Sequence, residues 1–176
     1  QAEALRLGVI DRANILVAGG TSTGKTTLTN ALLAEMARTS DRVVIIEDTR
    51  ELQCAAPNLV AMRTKDGVAS LSDLVRSSLR LRPDRIPVGE VRGAEAMDLI
   101  VALNTGHRGA LSTVHANGPG DALHRLREAH PVQLGHEAEM VARYAAAETV
   151  IAPLAVLAVE GRGLFAMKRA AGPEIA

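Results

Sequence analysis

Eight consecutive residues, Gly19, Gly20, Thr21, Ser22, Thr23, Gly24, Lys25 and Thr26, follow the pattern G-x-x-x-x-G-K-[ST]. Small side chains let successive backbone N–H groups turn inward around an anion. A helix that opens at the lysine aims its positive end at the same point. The lysine reaches terminal phosphates, and a threonine hydroxyl beside it can ligate Mg²⁺. The implied ligands are ATP and Mg²⁺, with Thr26 as the metal ligand and Thr27 completing the contact set. The bland alternative is a glycine-rich turn that happens to carry a lysine. The flanks weigh against it: an apolar run (residues 14–18) precedes the motif and an amphipathic stretch follows it.

A phosphate cradle does not by itself specify hydrolysis, which needs a group to position or deprotonate water. Glu90 is the candidate, at the end of the strand-like run 85–90, because ligands in open parallel sheets sit at the carboxyl ends of strands. Its competing reading is a solvated carboxylate. Pro87 within that run lacks the N–H that a central strand donates. Either the ladder is interrupted there or the strand begins later. Glu47, Asp48 and Glu51 follow another apolar run; they could serve the Mg²⁺ shell, orient water or simply cap the turn. His107 and His115 flank the run 109–114, where an imidazole could contact a phosphate; a lone loop histidine is more often structural. His124, His130 and His136 show no metal-ligand spacing. Arg76, Arg80, Arg82 and Arg85 crowd one segment, read either as a solvated face or as an interface lending arginines to a neighbour's phosphate.

The elements needed to position these groups are legible as alternation. Apolar runs at 14–18, 42–46, 59–62, 85–90 and 109–114 predict strands, and the stretches 26–38, 71–81, 94–104, 121–129 and 137–147 predict helices. Pro83 stops one helix and Pro119 suits the first turn of another. The runs 154–159 and 164–168 flank Gly161, Arg162 and Gly163 as a terminal hairpin. Strands alternating with helices make this an α/β fold, a mainly parallel sheet with helices on both faces and a C-terminal helical and hairpin extension.

Bulk composition narrows the function classes. Lys+Arg and Asp+Glu balance at 20 each, so whole-domain charge gives no pull toward nucleic acid or anionic lipid. Aromatics make up 1% of the residues, which removes base-stacking platforms. The single cysteine, Cys54, excludes an internal disulfide and a multi-cysteine zinc site, and a cytosolic compartment fits it best. No apolar run approaches the ~20 residues that span a bilayer. The chain begins with Gln and reads as an excised domain or fragment.

With these residues in place, the chain resembles the secretion and traffic ATPases, the hexameric motors of type II secretion, type IV secretion and pilus assembly. Four boxes occur in order over residues 14–130. They are the Walker A box at 19–26, an Asp box at 46–52, a Walker B ending Gly89-Glu90, and a His box from Thr105-Gly106-His107 to His115-Ala116-Asn117. The stretches 51–58 and 82–90 are similar to the conjugal transfer members, in which proline at position 87 is characteristic. Ser22 stands where many members carry glycine.

The resemblance implies a RecA-like P-loop NTPase domain, with residues 1–130 as the ATPase core and 131–176 as an extension of the same domain. The family's N-terminal domain is expected to be absent, since 13 residues precede the first strand. It implies that Lys25 and Thr26 bind phosphate and Mg²⁺, that Glu90 handles the attacking water, and that Glu47 and His115 line the γ-phosphate. The expected activity is ATP hydrolysis powering type IV secretion, conjugation or pilus assembly. The expected state is a homo-oligomer, a hexamer in the full-length protein, working with inner-membrane secretion proteins at the cytoplasmic face. No direct nucleic-acid binding is expected. The alternatives are a pilus retraction or type II secretion motor, and a nucleotide-binding assembly module with little turnover.

Overall fold

A computed structural model describes residues 2–93, 95–104, 106–128, 154–160 and 163–169. The first strand, β1 (Asn14–Gly19), is buried along its whole length and runs parallel to β5 (Leu111–His115) on one side and β6 (Leu154–Glu160) on the other. Beyond β5 lie β4 (Pro87–Val88), β2 (Val43–Glu47) and β3 (Leu59–Arg63), all parallel. At the opposite edge β7 (Gly163–Arg169) pairs antiparallel with β6, as expected of the terminal hairpin. The order is β3-β2-β4-β5-β1-β6-β7.

Side chains alternate across this sheet with period two. Leu16, Ala18, Val44 and Ile46 enter one core, with Leu71, Leu74 and Val75 from α3 (Leu71–Ser78) and Ala96, Leu99 and Leu103 from α4 (Glu95–Asn104). Ile15, Val17, Val43 and Ile45 enter the other core, with Leu32, Leu33 and Met36 from α2 (Lys25–Met36) and Val9 from α1 (Ala2–Ile10). Helices therefore cover both faces, as the alternation predicts. Helix α1 was not among the predicted elements; Leu5 and Val9, four residues apart, are the helical signal that marks its inner side. The fifth helix, α5 (Pro119–Glu128), opens at the expected proline. The predicted helix at 137–147 lies outside the described residues.

Several boundaries have local causes. Helix α3 is capped by Ser70, whose hydroxyl accepts the Asp73 N–H while the Asp73 carboxylate accepts the Ser70 N–H. It tightens into a 3-10 turn (Leu79–Leu81) and stops at Arg82. Arg82 precedes Pro83, which disfavours a right-handed helical residue there, and it takes φ 51° instead.

The run 85–90 is shorter as a strand than its sequence suggests. Arg85 N donates to Arg42 O and Val44 N donates to Arg85 O, and the ladder resumes with Gly89 N donating to Ile46 O at 2.8 Å. In this alternation the rung between them belongs to residue 87, and proline has no N–H to make it. The interruption therefore falls three residues before Glu90.

Candidate functional site

The carboxyl ends of β1, β2, β4 and β5 come to one edge of the sheet. Gly19 is in register with His115, Val88 with Ser112, and Ile46 with Val88. Glycines and small residues then turn the chain from β1 into α2. Ser22 has φ 60° and Gly24 φ 97°, both left-handed, so Ser22 holds a conformation that favours glycine. Gly24 is the N-cap of α2 and has no side chain to satisfy the first-turn N–H groups, which leaves that positive end open to an anion. Lys25 Nζ is folded back onto Gly20 O at 2.6 Å, and Thr23 Oγ1 also donates to Gly20 O, at 2.9 Å. Thr21, Ser22 and Thr27 are exposed around the turn.

Two of the acidic residues at and after the end of β2, Glu47 and Glu51, divide the roles left open between them. Glu47 is buried, and its Oε2 accepts the backbone N–H of Glu51 and of Leu52, each at 3.0 Å. It fixes the loop that follows its own strand. Glu51 faces the cradle, accepting from the Thr26 hydroxyl at 3.3 Å. Asn30 on α2 bonds Glu51 O at 3.2 Å and accepts from Gln53 N at 2.9 Å, so this loop is tied to α2 at three points. A hydroxyl and a carboxylate side by side, open to water and phosphate oxygens, suit Mg²⁺, which keeps several waters and needs few protein ligands. Among the described residues there is no cluster of three His, Cys, Asp or Glu able to hold a metal by itself.

Gly89 explains how β4 can lie so close to Glu47. A Cβ on Gly89 would stand 3.1 Å from Glu47 Cβ and 3.6 Å from Glu47 Cα. Strand β2 is paired on both sides and has little room to retreat. Gly89→Ala is expected to destabilise the protein by about 1–3 kcal/mol, as overpacking does, read from the midpoint of urea unfolding at unchanged slope.

Glu90 and His115 line one cleft of about 510 Å³, with Arg92, Val114, Ala96 and Arg125. Thr113 Oγ1 donates to Gly89 O at 2.7 Å and Val91 N donates to Thr113 O at 2.9 Å, locking the end of β4 to β5 on both sides of Glu90. The Glu90 carboxylate is ion-paired with Arg92 Nη2. The Glu90 hydrogen bond and charge, with the more distant charges of Asp48 and Glu51, outweigh desolvation and raise the Arg92 guanidinium above its ordinary value.

Other candidates fall elsewhere. Glu47 lines a separate groove with Arg50, Glu51 and Leu52 rather than the Glu90 cleft. His107 precedes β5, beyond its amino end and away from the cradle, and its Nδ1 is buried without a hydrogen-bond partner. Arg85 cannot be lent to a neighbour: it is 1% exposed and bonded to Asp41 at 2.6 Å. Arg76 is bonded to Asp98 at 2.8 Å. His130 and His136 lie outside the described residues. The reading of single residues missed Arg92 and Arg125. The spacing that marks Arg92 is i, i+2 from Glu90.

Comparison with known proteins bears on this arrangement as a whole. The chain is 51% identical over 130 residues to the conjugal transfer protein TrbB of Rhizobium radiobacter, an overlap of 73% of this chain and 40% of that protein. It is 47% identical over 109 residues to the type IV secretion system protein VirB11 of Bartonella quintana, covering 59% of this chain and 30% of that one. The crystal structure of the VirB11 ATPase from the Brucella suis type IV secretion system, in complex with sulphate, superposes with a TM-score of 0.81 at 30% identity. That superposition covers 96% of this chain and 51% of the other. The chain thus spans well under two thirds of these relatives, and its mainly parallel sheet with helices on both faces is the RecA-like fold of the secretion ATPases. The model of the type II/IV secretion system protein family matches residues 2–153, from α1 through both walls of the cleft, and the chain belongs to that family.

Proposed function

We propose that this chain is the ATP-binding and ATP-hydrolysing motor part of a type IV secretion or conjugal transfer ATPase. The observation that carries the reading is the convergence at one sheet edge: the cradle begins at Gly19, and the residue in register with it, His115, shares a cleft with Glu90. In this reading ATP lays its phosphates on the backbone of residues 19–26. Lys25 exchanges Gly20 O for a terminal phosphate oxygen, and the Thr26 hydroxyl, beside the Glu51 carboxylate, would hold Mg²⁺. Mg²⁺ held there would neutralise charge on the β- and γ-phosphates. Glu90 takes a proton from water, the water oxygen bonds to the γ-phosphorus, and the bond to the bridging oxygen breaks to leave ADP and phosphate. His115 donates to the γ-phosphate, and Glu47 keeps the Glu51 loop in place. Sulphate, a phosphate-like anion, in the Brucella suis VirB11 structure supports an anion site in this fold.

Residues 1–130 serve as the core in this reading, and 131–176 as an extension of the same domain; the pairing of β6 with β1 supports one unit. The full-length protein works as a homo-oligomeric ring, a hexamer, at the cytoplasmic face of the inner membrane with secretion-system partners. Among the described residues no helix is long and apolar enough to cross a membrane.

Phosphate release by the full-length protein, with and without Lys25→Ala, tests the activity. Lys25→Ala is expected to lower kcat/KM by at least 10²-fold, the scale of losing one charge that stabilises the transition state. ATP binding with no release above the Lys25→Ala background would instead assign the chain to a nucleotide-binding assembly module.

A further inference from the structure

We propose that Arg92 is a positioning residue for hydrolysis, acting through Glu90; the inference rests on Glu90 being the group that accepts the proton from water. The backbone on both sides of Glu90 is clamped. Gly89 N donates to Ile46 O at 2.8 Å, Thr113 Oγ1 donates to Gly89 O at 2.7 Å, and Val91 N donates to Thr113 O at 2.9 Å. Further on, Glu95 Oε1 accepts the N–H of Arg92 at 2.6 Å and of Gly93 at 2.7 Å, pinning the turn into α4. The Cα of Glu90 is therefore fixed, while its carboxylate can still swing through the torsions of a glutamate side chain. Arg92 supplies the hold: its Nη2 is paired with one carboxylate oxygen, Oε2, which leaves Oε1 for water.

Geometry and charge both suit this task. Residues 90 and 92 stand two apart in the chain, and their side chains meet directly across that short spacing. A guanidinium is planar, permanently charged and carries donors in a fixed fork, so it fixes the direction of an oxygen, as a rotating ammonium does not. The Arg92 side chain is 73% exposed, and an exposed ion pair adds little to stability. Its effect falls on where the Glu90 carboxylate points.

The test is steady-state and single-turnover ATP hydrolysis by the full-length protein carrying Arg92→Ala, Arg92→Lys, Glu90→Gln, and Arg92→Ala with Glu90→Gln. Misplacement of a catalytic group by about 1 Å costs on the order of 10²-fold. Arg92→Ala is accordingly expected to lower kcat roughly 10–100-fold, with KM for ATP and the unfolding midpoint nearly unchanged, and Arg92→Lys to recover only part of the loss. In the Glu90→Gln background Arg92→Ala is expected to add no further loss, because a residue that acts through another is silent once that one is gone. Wild-type kcat in Arg92→Ala, a loss confined to KM, or a loss that multiplies with that of Glu90→Gln would each overturn the inference. Near-wild-type turnover by Glu90→Gln itself would remove the underlying assignment of Glu90, and with it this role for Arg92.

Discussion

Glu90→Gln is expected to lower ATP turnover by roughly 10²–10⁴-fold, the usual contribution of a general base, while ATP still binds. The substitution keeps the shape of the side chain and an oxygen able to accept from Arg92, and removes the capacity to take a proton. Binding is spared because the cradle belongs to different elements. Its backbone runs from β1 into α2, and the hydroxyl and carboxylate suited to the metal are Thr26 and Glu51. Glu90 lies just beyond the end of β4, the next strand but one from β1. Nucleotide affinity by fluorescence titration, set beside phosphate release, checks both halves. Turnover within threefold of wild type would move the base elsewhere in the cleft, and His115, which lines it with Glu90, is then the next residue to replace.

Much of this site is legible in the sequence because its chemistry is local there. Eight adjacent residues make the cradle, and short boxes end the strands that face it. The division of labour among Glu47, Asp48 and Glu51 was not legible. All three are carboxylates within five residues, and only the turn after β2 decides that Glu47 points inward to cap amides while Glu51 points out to Thr26. The fate of Arg85 was hidden for a similar reason. It sits in an arginine-rich segment that reads as a surface, but its partner Asp41 is 44 residues away in sequence.

The fold followed the same division. Continuous apolar runs identified β1 and β2, which are buried at every residue because alternate side chains feed opposite cores. Two features depended on tertiary contact. Helix α1 is short and its inner residues matter only because α2 is there to receive Val9. Strand β4 owes its length to a single missing donor at Pro87, a puzzle posed by the residue type and answered by the neighbouring rungs.

Asp41→Ala is expected to destabilise the protein by about 3–5 kcal/mol, the cost of leaving a buried charge without its partner. At this chain length that is a fall in Tm of roughly 6–20 °C. Arg85 is held by Asp41 Oδ2 and by the Val9 carbonyl at the end of α1, and Arg12 Nη2 reaches the other oxygen, Oδ1, at 2.5 Å. The alanine strands Arg85 in the interior, whereas Arg12 is part-exposed and retains Asp84 at 3.4 Å. A second substitution separates orphaned charge from lost packing. Arg85→Met in the Asp41→Ala background removes the stranded cation with an apolar chain of similar reach, and is expected to recover part of the loss. Recovery stays incomplete because the Val9 carbonyl loses its donor. The pH dependence has a definite sign. Burial pushes the Asp41 carboxyl up, but the hydrogen bonds and charges of Arg85 and Arg12 outweigh it and hold the group below its ordinary value. A carboxyl depressed in the folded state contributes in full above about pH 5 and loses that contribution as pH falls through its folded value. The Tm difference between wild type and Asp41→Ala is therefore expected to be constant from neutral pH to about 5 and to narrow below it. A difference that widened in acid would mean that Asp41 is not the anion holding Arg85.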